Sequence, residues 1–131
     1  MALDIGIEAI GENGDPLERD LTSSLKYAHY SFLMKYLETF TNATGVNIEP
    51  YDDARVCGKQ LDLLKSCLSQ ALSDISKKPD EWDEYVGYEI KPRKNIYERI
   101  RRREFLHEIR KTLELISRAR SDGRTLFFFG D

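Results

Sequence analysis

Little of the usual raw material of site chemistry is present. The chain has two cysteines, two histidines and one tryptophan in 131 residues. Cys57 and Cys67 fall ten residues apart within one expected helix, roughly 15 Å at the usual rise per residue and beyond disulfide reach. A disulfide scaffold is therefore excluded, and a reducing, cytoplasmic location is expected. Cys57 lies on an apolar stripe and reads as core filler. The histidines are too few for a metal cluster: Glu104 and His107 stand at i and i+3, as in di-metal helical bundles, but His29 has Lys26 at its own i−3 position. No metal and no cofactor are expected. No apolar run approaches the roughly 20 residues that span a bilayer, and the start lacks the basic and apolar regions of a secretory signal. Gly11 to Asp15 lacks the lysine and hydroxyl residue of a phosphate loop and reads as a turn.

Charge is plentiful and nearly balanced. Twenty basic and 23 acidic residues leave a net −3, which argues against general nucleic-acid binding. The signs are segregated, however. Residues 1 to 22 hold six acids and one base, residues 80 to 89 five acids and no base, and residues 93 to 111 eight bases and three acids. Separate acidic and basic faces are expected.

Three stretches carry apolar residues at helical spacing. Leu17, Leu21, Leu25, Ala28, Phe32, Tyr36 and Phe40 form the first. Ala54, Cys57, Leu61, Leu64, Leu68, Ala71 and Ile75 form the second, and Ile96, Ile100, Leu106, Ile109, Leu113 and Ile116 the third. Helices are predicted from about Pro16 to Ala43, Ala54 to Ile75 and Arg93 to Ser121. Asp15-Pro16 marks the first start and Gly45 its stop, while Gly58 is a weak point inside the second. The proline-bounded segment 79 to 92 reads as a short helix or structured loop. Leu3, Ile5 and Ile7 alternate with Asp4, Gly6 and Glu8, and residues 124 to 129 are β-prone. These chain ends should pair with each other or with a partner's edge. The expected architecture is a mainly α single domain over residues 1–131, three long helices in a bundle with a small terminal sheet.

Two segments are candidates for function. Asp80, Glu81, Asp83, Glu84 and Glu89 surround Trp82, Tyr85 and Tyr88, which combines aromatic anchors with a focused negative field. This favours a non-enzymatic protein-interaction module, of an immunity, antitoxin or inhibitor kind, that masks a basic surface on another protein. A homodimer built through the third helix or the terminal Phe127-Phe128-Phe129 segment is a further expectation.

The second candidate is Arg101-Arg102-Arg103 with His107. Successive helical residues point about 100° apart, so three adjacent arginines form no single contact surface, and Glu98 and Glu104 are within pairing distance. Arg102, four intervening residues and His107 together resemble the arginine and histidine pair of the HEPN superfamily of helical ribonucleases. The resemblance implies a composite Arg102 and His107 site across a dimer, attacking RNA through its 2′-hydroxyl. That family commonly has a polar non-basic residue after the arginine, where Arg103 stands here. His29, between Tyr27 and Tyr30, reads as part of an aromatic cluster.

Overall fold

The computed structural model describes residues 2–8 and 20–130, without the side chains at 2, 8 and 20 to 22. The expected turn at Gly11 to Asp15, the Asp15-Pro16 helix start and Leu17 lie outside the described residues. The elements are β1 (Ala2–Glu8), β2 (Asp20–Lys26), α1 (Tyr27–Thr44), β3 (Ala54–Val56), α2 (Lys59–Ser76), β4 (Glu81–Ile90), β5 (Arg93–Arg101), α3 (Arg102–Asp122) and β6 (Thr125–Phe129). This is an α/β mixture with two antiparallel sheets, so the three-helix bundle expected from periodicity is corrected.

The reason for that error is arithmetic. A spacing of four residues returns to one face of a helix, and it also returns to one face of a strand. Ile96 and Ile100 share that spacing on β5, opposite Gly87 and Trp82. Residues 93 to 101 are a strand whose apolar positions fit both templates, and pairing with β4 selects the extended one, while residues 20 to 26, expected within the first helix, are a strand paired with β1. The segment 79 to 92, expected as a short helix or loop, supplies β4.

The second stripe is shortened in the same way. Ala54 and Val56 alternate inward on β3, and Cys57 is exposed rather than core. Gly58 precedes α2 with φ +56, a conformation that disfavours side chains with a Cβ. It is the entry to the helix, not a weak point within it.

The four-stranded sheet has the order β2-β1-β6-β3, so the two chain ends pair directly, with Ile5 opposite Phe128 and Ile7 opposite Leu126. Leu3, Ile5, Ile7, Leu25, Ala54, Val56, Leu126 and Phe128 are buried. The sheet packs chiefly on α1 and α3, and α2 packs against both helices. Inside α3 the buried positions are Phe105, Ile109, Thr112, Leu115, Ile116 and Ala119. Leu106 and Leu113, expected in the core, are only partly buried. No helix among the described residues is long and apolar enough to cross a membrane.

Candidate functional site

The β4–β5 ribbon leaves α2 through Lys77 to Asp80 and returns directly into α3. Its base is tied to the body by Ile100, which is fully buried, and by Trp82, whose ring lies 5.9 Å from Phe32 and 6.5 Å from Phe105. Its far end is in solvent: residues 88 to 95 are all exposed. Residues directly opposite in an antiparallel pair share a face. On one face stand Trp82 with Ile100, Glu84 with Glu98 and Gly87 with Ile96. On the other stand Glu81 with Arg101, Asp83 with Arg99, Tyr85 with Tyr97, Tyr88 with Asn95 and Ile90 with Arg93.

A register shift between Tyr85 and Gly87 inserts one residue into β4. Tyr88 follows Tyr85 by three positions, a spacing that puts two side chains on opposite faces of a regular strand. The extra residue reverses that alternation and brings Tyr88 and Ile90 to the side of Tyr85. Tyr85, Tyr88, Ile90 and Tyr97 are 47%, 54%, 75% and 57% exposed. Tyr85 and Tyr97 meet edge to face at 5.7 Å, and the Arg93 guanidinium lies 4.9 Å from the Tyr88 ring centre.

Arginines pair with three of the five acids of the expected field, Asp80, Glu81 and Asp83. Arg99 donates to Asp83 at 2.9 Å and to Glu81 at 3.1 Å, and these carboxylates hold its guanidinium above the ordinary range, the Asp83 hydrogen bond first. Arg102 donates to Asp80 at 2.7 Å and to the Lys78 carbonyl, while Arg101 lies 3.5 Å from Glu81. Glu84 accepts from the Trp82 indole at 3.0 Å, with the Lys78 ammonium 5.3 Å from the indole ring. Each of these exposed pairs is individually weak, and among the described residues Glu84 and Glu89 have no arginine partner.

These pairings join the two candidate segments. Asp80, Glu81, Arg101, Arg102 and Arg103 line one open cleft of about 510 Å³, together with Leu106 and Arg110. Among the described residues, neither Arg103 nor Arg110 has an ion-pair or hydrogen-bond partner. His107 is exposed and does not line this cleft, and Arg102 is committed to Asp80 and Lys78. Within one chain, therefore, Arg102 lines this cleft and His107 does not. Glu104, considered with His107 for metal binding, pairs with Lys26 at 3.1 Å, and that hydrogen bond holds its carboxyl below the ordinary range. No group of three potential metal ligands occurs among the described residues.

Some residues of interest were invisible to local spacing. His29 is buried, stacks on Phe105 at 4.3 Å and meets the Glu108 carboxylate through Nδ1. Its acid comes from 79 residues away, where no search of the neighbouring helical turn could find it. Arg110 does have a local signal, since it repeats Arg103 after seven residues. Tyr97 and Ile90 become surface anchors only through strand pairing.

Comparison with protein-family models, curated proteins and solved structures finds no match to this chain.

Proposed function

We propose that this chain is a non-enzymatic protein-interaction module, of inhibitor or antitoxin-like character, that grips its partner with the β4–β5 ribbon. The observation that supports it is the gathering of Tyr85, Tyr88, Ile90 and Tyr97 on one exposed ribbon face. Large aromatic side chains with little conformational entropy are effective binding anchors, and these four do not serve the core. Trp82 has the positioning part: it fastens the ribbon to α1 and α3. The reading includes a cytoplasmic location, consistent with two unpaired cysteines.

The test compares tagged wild type, a Tyr88→Ser/Ile90→Ser variant and a Tyr51→Ser control in native cells, with quantitative mass identification of what copurifies. Tyr51 is 63% exposed and lies outside the ribbon. One protein enriched by wild type and control and lost from the ribbon variant is expected. A partner retained by all three overturns the reading, as does the absence of any enriched protein.

A second reading has its own support: four arginines line one cleft, which suits an anionic ligand such as RNA. RNA cleavage or retention that His107→Ala or Arg102→Ala removes would favour it.

A further inference from the structure

The surface that bears the ribbon anchors continues into the arginine cleft, since Glu81 and Arg101 belong to both. Four guanidinium groups and two carboxylates line that cleft. Asp80 and Glu81 are already bonded by Arg102, Arg99 and Arg101, so among the described residues the uncompensated charge of the cleft sits on Arg103 and Arg110. Seven residues are nearly two helical turns, so these side chains rise from one face of α3 about 10 Å apart. Leu106, partly buried, lies between them. The pattern is cation, apolar residue, cation along a single helix face.

Its complement is an acid, an apolar residue and an acid at the same separation. A helix presents that arrangement at i, i+4 and i+7. A run of nucleic-acid phosphates fits less well, because Asp80 and Glu81 stand on the facing wall and a phosphodiester chain offers nothing apolar to Leu106. We propose that the cleft is a subsite for an acidic amphipathic helix of the partner protein, with Arg103 and Arg110 each taking a carboxylate in fork geometry and Leu106 covered by the apolar residue between them. This rests on the protein-binding reading, and it makes the partner's contacting surface acidic.

The probe is a fluorescent, alanine-based helical peptide carrying Glu, Leu and Glu at i, i+4 and i+7, measured by anisotropy against the full chain. Saturable binding is expected that weakens about tenfold for Arg103→Gln and again for Arg110→Gln, falls with salt, and falls when the peptide leucine becomes serine. Arg103→Lys keeps the charge but loses the fork, and an intermediate affinity is expected. Circular dichroism of each variant confirms an unchanged fold. The inference is overturned by binding that ignores both arginines, by no binding at all, or by a single-stranded RNA oligonucleotide that binds more tightly at the same cleft. The two proposals fail separately. If Arg103→Gln/Arg110→Gln keeps the copurifying partner that Tyr88→Ser/Ile90→Ser loses, the cleft assignment falls and the ribbon reading stands.

Discussion

Replacing Phe105 and Leu106 separately by alanine tests the register of α3 and the joint that holds the ribbon. Phe105 is 0% exposed and is the common neighbour of three rings, His29 at 4.3 Å, Phe32 at 5.5 Å and Trp82 at 6.5 Å. Those rings belong to α1 and β4, so one side chain closes the contact among three elements. Deleting a buried phenyl ring removes its transfer energy and leaves a cavity that rigid neighbours fill poorly, a loss of about 3–5 kcal/mol. Against a total of roughly 5–15 kcal/mol for a domain, that is at least about a fifth of the stability. Leu106, one residue on, is only partly buried and rims an open cleft, so its truncation should cost about 1 kcal/mol. Urea unfolding followed by far-ultraviolet circular dichroism measures both, and Trp82 fluorescence in the native state should redden for Phe105→Ala as the ribbon loosens. Equal losses for the two variants, or a larger loss for Leu106→Ala, would refute the register and the assignment of Phe105 as the joint.

Two further outcomes follow from the geometry. At Gly130 an added Cβ would stand 2.3 Å from the backbone nitrogen of Asp52, where no flexible side chain can yield. Gly130→Ala should cost about 1–3 kcal/mol and accelerate amide exchange over 54 to 56 and 126 to 128, and protection equal to wild type would count against this packing. The Tyr36 hydroxyl donates to Asp74 at 2.5 Å, and that bond, ahead of all other influences, holds the Asp74 carboxyl below its ordinary value of 3.8. A lowered folded value means stabilisation that is full above the unfolded value and disappears as pH falls through the folded one. Tyr36→Phe should raise the Asp74 midpoint in a carboxyl carbon-13 NMR titration and flatten the acid limb of stability, and an unmoved midpoint would contradict the bond.

Much of the helical core was legible because burial follows a period that the amino acids themselves carry. Phe32, Tyr36 and Phe40 on α1, and Leu61, Leu64, Leu68, Ala71 and Ile75 on α2, are buried where their spacing puts them. The terminal strands were visible through alternation at Leu3, Ile5 and Ile7. The ribbon was not, because Ile96 and Ile100 satisfy both periods and nothing within nine residues says which one applies. Hydrogen bonding to β4 decides it. The same pairing rearranged the candidate site: Asp80 to Glu84 and Arg99 to Arg102 appear in sequence as two separate charged runs, and strand register sets them opposite one another.

Composition and periodicity alone determined that the chain has an apolar interior, two cysteines that cannot pair along one helix, segregated charge and only two histidines. These are local or additive properties, readable residue by residue. Which stretches are strands, which carboxylates are neutralised, and which tyrosines face water were decided by tertiary structure. Each depends on a partner distant in the chain, and contact across that distance exists only once the backbone has chosen its fold.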